Sequence, residues 1–340
     1  MYVKVKMMEA EILEALYRYG PLEYFQIVYY LARRGYPRED ITVFDSLAKL
    51  VRMGAISHIS PEISGSRKYE RVYYLQMGSK PRQLLEAVLQ DTIMREFWWP
   101  ATEIYRLRRK GYDLEGYLGR FQSKHERALR NFKLQVATSG GGGLEFWRND
   151  AFKFHRYNSS MRAMVRPDAL FAWRYFDPKY NVQPFYYFLE LELSWKSDDR
   201  VKQRMENFIH FLVSKTWRST KSGLELPYFP AVLFIFPRDE SATVRTGLAN
   251  MRRHFGALHE TIESLWPNDR ARWEQVFSYG FAYADDFMGV LDRDNAILPM
   301  SDAIWYDLYR PGQGPYTLRE IVPSRVKELL EARYRQEMGV

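Results

Sequence analysis

Residues 185 to 193 alternate strictly along the chain, and this period of two is that of a β-strand. One face carries five apolar or aromatic side chains, which are Phe185, Tyr187, Leu189, Leu191 and Leu193. Glu190 and Glu192 therefore share the opposite face, since successive side chains of a strand point to opposite sides of its sheet. The pattern predicts a strand that must be completed by neighbours into a sheet with a buried face.

A second predicted strand lies just upstream and begins at Asp168, which opens an apolar run. Two adjacent strands would bring Asp168 beside Glu190 and Glu192. Three carboxylates brought together without a basic partner repel one another. They are tolerated where they face solvent or where they hold a divalent cation, whose preferred ligands are oxygens. Both interpretations stay open from these residues alone.

Length and composition restrict the class of protein to which this chain can belong. The 340 residues suffice for a sizeable core and for two or three domains. The chain has no cysteine, which excludes disulfides, zinc thiolate sites and a cysteine nucleophile. The longest apolar runs are strand-sized, and the first residues lack the apolar core of a signal peptide. We therefore expect a soluble, cytoplasmic protein without a membrane partner.

The net charge of +8 is concentrated in one segment. Residues 101 to 166 hold fourteen Lys or Arg against six Asp or Glu, so the remainder of the chain is close to neutral. A basic segment rich in aromatic residues is typical of a nucleic-acid surface, because neutralised phosphates dominate such affinity. Scattered arginines on a solvated helix face explain the charge equally well. The candidate DNA contacts in this segment are Arg106, Arg108, Arg109 and Lys110.

The first 76 residues follow the order of a winged helix-turn-helix. Three helical patterns, each ending at a glycine, precede strand patterns at 55–59 and 72–75. The third helix, from about 38 to 53, opens with Arg-Glu-Asp, which is a poor sequence for facing phosphates. The loop between the strands carries the predicted DNA contacts Arg67, Lys68 and Arg71. Use of this module for protein contacts is the alternative.

The rest of the chain predicts a helical connector followed by a sheet domain. Residues 80 to 82 are interpreted as a linker, and helices follow up to about residue 120. An amphipathic helix is expected from about 199 to 217, and a strand covered on both faces from 230 to 237. Further strands are expected near 277–283 and 296–306.

These patterns together predict the α/β (α+β) class, with an N-terminal winged helix-turn-helix, a helical connector and a C-terminal mixed sheet flanked by helices. The predicted domains are 1–80 for the winged helix, 81–122 for the connector or insertion, 123–322 for the sheet domain and 323–340 for a C-terminal helix.

Several short motifs follow one another in a fixed order. They are His125 with Asn131, Trp147, Pro167-Asp168, Glu190-Leu191-Glu192, Phe208 in the amphipathic helix, Ala303-Ile304-Trp305 and Tyr316-Thr317-Leu318. This order resembles the plasmid replication-relaxation family, in which a winged helix precedes a domain similar to PD-(D/E)XK nucleases. The resemblance covers most of the chain apart from about residues 82 to 120.

The resemblance implies a metal-dependent site. In the related nucleases an Asp and a Glu hold Mg²⁺, and a lysine two residues after the Glu helps to position or activate water. Asp168, Glu190 and Glu192 are the implied ligands of Mg²⁺ or Mn²⁺ here, and Glu192 stands at the position of the lysine. The basic residue expected to replace that lysine is Lys196, Lys202 or Arg204.

The function implied by the resemblance is that of a DNA-binding protein of a plasmid or mobile element, acting in replication or mobilisation. Its expected partners are double-stranded DNA and replication or mobilisation proteins. An Mg²⁺-dependent DNA endonuclease or nicking activity is expected of the C-terminal domain. The departure at Glu192 keeps an alternative open, a non-catalytic replication accessory or transcriptional regulator with a degenerate nuclease fold. A third interpretation is a scaffold that recruits proteins through the winged helix.

Overall fold

The structure of the protein is a computed structural model. It describes residues 6–36, 40–59, 71–76, 79–89, 124–149, 165, 167–177, 184–193, 196–214, 217, 226–236, 247–265, 267, 279–283, 298–307, 310, 313–321, 326–328, 331–332 and 335–336. The chain divides into two compact units. Unit 1 comprises Met1–Leu134 and Asp286–Ala296, and unit 2 comprises Gln135–Asp285 and Ile297–Val340. Helices and strands occur in both units, which confirms the predicted mixed α/β class. The domain boundaries predicted at residues 80 and 122 stay predictions.

Unit 1 combines helices with a small antiparallel sheet. Its described elements are α1 (Met7–Tyr19), β1 (Leu22–Glu23), α2 (Tyr24–Arg33), α3 (Asp40–Arg52), β2 (Ile56–Ile59), β3 (Val72–Leu75), α4 (Ser79–Leu89) and most of α5 (Lys124–Ala137). The strand order is β1-β3-β2, and both pairings are antiparallel. The third strand in the chain therefore lies between the other two.

Glycines end the first three helices of unit 1. Gly20, Gly35 and Gly54 have φ of 82°, 87° and 69°, a left-handed conformation that costs glycine little because it has no Cβ. The residues interpreted as a linker, 80–82, lie inside α4 instead. Pro81 is accommodated because it stands in the first turn, where a backbone N–H has no partner within the helix.

Unit 2 is built on a mixed sheet covered by helices. Its elements after α5 are β4 (Gly142–Asn149), β5 (Ala169–Tyr175), β6 (Phe185–Leu191), α6 (Asp198–Ser214), β7 (Ala231–Phe236), α7 (Gly247–Leu265), β8 (Tyr279–Tyr283) and β9 (Tyr306–Asp307). The described strands form one sheet in the order β4-β5-β6-β7-β8-β9. The β4–β5, β5–β6 and β8–β9 pairs are antiparallel, whereas β6–β7 and β7–β8 are parallel.

Helices α6 and α7 cover the face of the sheet that carries the glutamate of β6. Phe188 pairs with Val232, and Glu190 pairs with Phe234, so these side chains share one face. Phe188, Val232 and Phe234 belong to one buried cluster with residues of both helices, including Phe208 and Leu258. The glutamate face of β6 is therefore a helix-covered interior rather than a solvated surface.

The strand predicted from 296 to 306 is wrong over most of its length. Residues 299–303 form turns and bends, and β9 contains only Tyr306–Asp307. The carboxylate of Asp302 accepts a hydrogen bond of 2.7 Å from the backbone N–H of Leu298, which closes the turn. Trp305 then pairs with Tyr316 through two backbone hydrogen bonds of 2.9 and 2.7 Å.

Gly280 of β8 is expected to reject any larger side chain. A Cβ there would lie 2.6 Å from Ile321, 2.8 Å from Leu233 and 3.1 Å from Trp305, so Gly280→Ala overpacks the core. We expect a loss of about 1–3 kcal/mol in unfolding free energy, measured by urea denaturation. Gly256→Ala in α7 is the matched control, because no described atom outside the neighbouring backbone of α7 lies within 4 Å of its Cβ position. The control should gain about 0.5–1 kcal/mol, and equal stability of the two variants would contradict this packing.

Candidate functional site

The three predicted acidic residues lie at neighbouring ends of β5 and β6. Asp168 immediately precedes β5, Glu190 lies near the end of β6, and Glu192 directly follows that strand. The backbone N–H of Leu191 donates a hydrogen bond of 2.7 Å to Oδ2 of Asp168. The backbone N–H of Asp168 donates one of 2.9 Å to the carbonyl of Leu189. The end of β6 therefore holds Asp168 from two sides.

Basic side chains neutralise the two glutamates, which are each only 1% exposed. Arg204 of α6 makes ion pairs with both Glu190 and Glu192. Lys196, in the loop before α6, places its Nζ 2.6 and 2.9 Å from the two carboxylate oxygens of Glu192. The interpretation in which these glutamates face solvent is therefore wrong. They are tolerated because α6 and the loop before it bring two cations to them.

The three candidates for the missing lysine differ in position. Lys196 and Arg204 both contact the glutamates, whereas the side chain of Lys202 is exposed on α6. Positions 202 and 204 are about 200° apart around a helix axis, so only one of them can face the sheet. The catalytic role predicted for Lys202 has no support from this placement.

His254 of α7 completes the cluster and was not among the predicted site residues. Its Nδ1 lies 2.9 Å from the backbone carbonyl of Asn250. A carbonyl only accepts, so Nδ1 carries the proton and the neutral ring presents a lone pair at Nε2. Nε2 is buried without a hydrogen-bond partner among the described residues. It lies 3.8 Å from Oε2 of Glu192.

Burial dominates the ionisation of the cluster. It raises the pKa of Glu190 to about 8; Arg204 and Lys196 oppose this rise, and Asp168 adds to it. Burial also lowers the pKa of Lys196. The pKa of His254 is lowered to about 4, chiefly by burial and further by neighbouring cations, so the imidazole is neutral at pH 7.

Glu190→Gln is expected to remove one source of pH-dependent stability. Folding raises the pKa of Glu190 from its ordinary 4.5 to about 8. The stability that this carboxyl contributes is therefore full below pH 4.5 and is lost as the pH rises through about 8. The unfolding free energy of the variant relative to wild type should therefore rise by about 2 kcal/mol between pH 6 and 8. Urea denaturation across this range measures it. Glu260→Gln, at an exposed position of α7, should show no such rise, and a flat difference for Glu190→Gln would contradict the buried ionisation.

Most of the predicted DNA contacts lie outside the described residues, namely Arg67, Lys68 and the cluster from Arg106 to Lys110. Arg71 is half-buried at the start of β3, and its side chain hydrogen-bonds Tyr73.

The third helix of unit 1 offers few phosphate contacts in the described part of the chain. Lys49 of α3 is bound by the buried carboxylate of Glu9 at 2.8 Å. The exposed side chains of α3 include Asp45 and Arg52. Of the two basic residues of α3, Lys49 is thus bound to Glu9 and only Arg52 is exposed, so this helix is a weak phosphate-facing surface.

Three of the remaining motif residues make contacts with other parts of their own unit. The side chain of Asn131 accepts a hydrogen bond of 2.7 Å from Gln26, within unit 1. The ring of Trp147 stacks on Phe171 with centroids 5.2 Å apart. Phe208 of α6 is fully buried, and its ring contacts Phe188 and Phe234 of the sheet. These three residues have structural roles here.

The metal site is not formed as the described side chains stand. Among those residues, no group of three or more His, Asp or Glu side chains is placed to hold a metal ion. The carboxylate oxygens of Asp168, Glu190 and Glu192 suit Mg²⁺ or Mn²⁺ in type. Arg204 and Lys196, however, already engage the glutamate oxygens. The Mg²⁺ or Mn²⁺ cofactor stays a prediction.

No protein-family model, curated protein or solved structure matches this chain significantly. The resemblance to the plasmid replication-relaxation family therefore stays a prediction based on its ordered motifs. None of the helices in the described ranges combines the length and the hydropathy that crossing a membrane requires.

Proposed function

We propose that this chain is a DNA-binding protein of a plasmid or mobile element that acts in replication or mobilisation in the cytoplasm. Its C-terminal unit would be a PD-(D/E)XK-like domain. The observation that carries the proposal is the placement of Asp168, Glu190 and Glu192 at adjoining strand ends, with Lys196 and Arg204 paired to the two glutamates. Carboxylates together with a lysine at the end of a central strand are the arrangement that the related nucleases use.

The order of elements supports both halves of this proposal. In unit 1, the described order is helix, strand, two helices and two strands, and β1 pairs with β3. This is the order expected of a winged helix-turn-helix. In unit 2, three antiparallel strands follow α5, and α6 then leads to the parallel strand β7. This is the helix and strand order expected of the nuclease-like domain.

The activity that we propose for unit 2 is metal-dependent cleavage or nicking of DNA. A bound Mg²⁺ or Mn²⁺ ion would be held by Asp168, Glu190 and Glu192, and would stabilise negative charge on the phosphate and lower the pKa of water. Lys196 and Arg204 would donate hydrogen bonds to phosphate oxygens, because charge-assisted donors bind phosphate strongly. Arg204 must leave the glutamates for an ion to take its place.

A second candidate function is a DNA-binding accessory or regulator without catalysis. It is favoured by the contacts of Arg204, which supply to Glu190 and Glu192 the positive charge that a metal ion would otherwise supply. In this case the nuclease-like fold is degenerate. DNA affinity would then depend on salt, with no turnover.

Incubation of the purified protein with supercoiled plasmid and with linear duplex tests the two candidates. The metal-dependent enzyme should nick or cut DNA in Mg²⁺ or Mn²⁺, stop in EDTA, and lose the activity in Asp168→Asn. Lys202→Met, at an exposed position of α6, is the matched control and should cleave like wild type. DNA binding without cleavage in either metal would reject the enzyme and leave the accessory role.

A further inference from the structure

Arg253, next to His254 on α7, binds the segment that carries Lys196. Its Nη2 donates a hydrogen bond of 2.7 Å to the backbone carbonyl of Lys196. Its Nε donates one of 2.6 Å to Oδ1 of Asp198, which Nη2 also contacts. Its Nη1 donates one of 3.3 Å to Oδ1 of Asn250, three residues earlier on α7. One guanidinium therefore connects residues 196 to 198 with α7.

We propose that Arg253 is a positioning residue, which fixes the segment before α6 so that the ammonium of Lys196 stays against Glu192. The inference rests on the proposed function in treating Lys196 as the lysine of the cleavage site. It assigns to Arg253 no contact with DNA or with the reacting atoms. The positioning itself does not depend on whether DNA is cleaved.

Lys196 lies between regular elements, because β6 ends at Leu191 and α6 begins at Asp198. A lysine side chain has many rotamers, so holding its ammonium in one place costs conformational entropy. Nζ of Lys196 nevertheless lies 2.6 and 2.9 Å from the two carboxylate oxygens of Glu192. A hydrogen bond that fixes the backbone of Lys196 lowers this cost, since only the side chain is then left to order.

The contact with the Lys196 carbonyl differs from an ordinary surface ion pair. The side chain of Asp198 is 89% exposed, so water screens its attraction to Arg253. The side chain of Arg253 is only 20% exposed. Hydrogen bonds from a charged donor are stronger than those between neutral groups. We therefore assign the positioning effect to the hydrogen bond with the carbonyl rather than to the ion pair.

The shape of the side chain at position 253 matters as well as its charge. The planar guanidinium of Arg253 presents several donors in a fixed fork, and Nη2 reaches both the Lys196 carbonyl and Asp198. An ammonium is a compact point charge without that fork, so Arg253→Lys should preserve the contact only in part. Arg252 is exposed on the same helix, so Arg252→Met removes an equal charge and is the matched control.

Acetylation of Lys196 in the full chain at pH 8, followed by peptide mass spectrometry, tests the inference without DNA or metal. Arg253→Met should acetylate at Lys196 about 10-fold faster than wild type, because losing a charge-assisted hydrogen bond favours local opening. Arg253→Lys should give a rate between the two, and Arg252→Met should react like wild type. Exposed Lys202 should react equally in all four proteins, which would show that the change is local.

Two results would overturn the inference. One is acetylation of Lys196 at the wild-type rate in Arg253→Met. The other is an equal acceleration in Arg252→Met, which would make the effect one of charge alone. If Arg253→Met does not fold, Arg253→Lys decides. Acetylation faster than wild type in that variant supports the inference, and acetylation at the wild-type rate counts against it.

DNA cleavage is measured separately. If wild type cleaves in Mg²⁺, Arg253→Met should lower kcat by up to about 100-fold with little change in KM, because small misplacements of a catalytic group are costly. An unchanged kcat beside faster acetylation would remove Lys196 from the cleavage step. Absence of cleavage by wild type would reject the enzyme and leave the acetylation result standing, so the two failures are distinguishable.

Discussion

Replacing Arg204 with methionine is expected to lower the free energy of unfolding by about 3–5 kcal/mol at pH 8.5 in EDTA. Removal of the guanidinium leaves Glu190 and Glu192 buried, with only Lys196 as a contacting cation in the described structure. The loss should be smaller at pH 6, because burial raises the pKa of Glu190 to about 8 and the carboxyl can then be neutral. Urea denaturation at the two pH values measures both effects.

Lys202→Met is the control for this variant, because it removes one positive charge from an exposed position of the same helix. Its unfolding free energy should stay within about 0.5 kcal/mol of wild type. If Arg204→Met were as stable as Lys202→Met at pH 8.5, Arg204 would not be the counter-ion of the two glutamates.

Glu23→Gln is expected to destabilise unit 1 by a similar amount. Glu23 is 1% exposed and binds Nε of Arg127 at 2.9 Å and Nη2 of Arg130 at 3.1 Å. Arg130 is itself buried, and desolvation lowers its pKa to about 10 even with Glu23 beside it. Loss of the carboxylate removes the main counter-charge of that guanidinium, which costs about 3–5 kcal/mol.

Amide hydrogen exchange in α2 and α5 is the measurement for Glu23→Gln, because the two units need not unfold together. Protection in both helices should fall together. Glu14→Gln is the control, since Glu14 pairs with Arg18 at the surface of α1. Such exposed pairs contribute about 0–1 kcal/mol. Unchanged protection in Glu23→Gln would show that the buried Glu23–Arg130 ion pair does not stabilise the packing of α2 and α5.

Local sequence patterns are sufficient to predict most elements of unit 1. Helical periodicity followed by glycine identifies α1, α2 and α3, and the β2–β3 pair follows from two short apolar runs. Strand β1 could not be predicted in this way. It has only two residues, and its pairing with β3 depends on chain some fifty positions later.

The alternation in residues 185 to 193 correctly places Glu190 and Glu192 on one face, because both contact Arg204. It does not reveal that this face is buried. Phe188 on the same face is fully buried beneath α6 and α7. Two elements that follow in the chain provide that cover, so burial of the glutamates is a tertiary property.

Helical spacing narrows the partners of the glutamates without deciding between them. Arg204 is three residues after Val201 and four before Phe208, and Lys202 is three before Met205, so both border the buried stripe of α6. His254 stands three residues after Met251 and four before Leu258, on the buried stripe of α7. Its contact with Glu192 depends on how α7 packs on β7, which no local pattern specifies.

The affinity of the full chain for a labelled DNA duplex, measured by fluorescence anisotropy at several salt concentrations, tests the DNA-binding proposal most directly. We expect the logarithm of the binding constant to fall linearly with the logarithm of salt concentration. Replacing Arg67, Lys68 and Arg71 together by glutamate should weaken binding and reduce the slope by about 3. Binding of the same strength and slope in the triple variant would exclude these three residues as the contact. No salt-dependent binding by wild type would contradict a DNA-binding function.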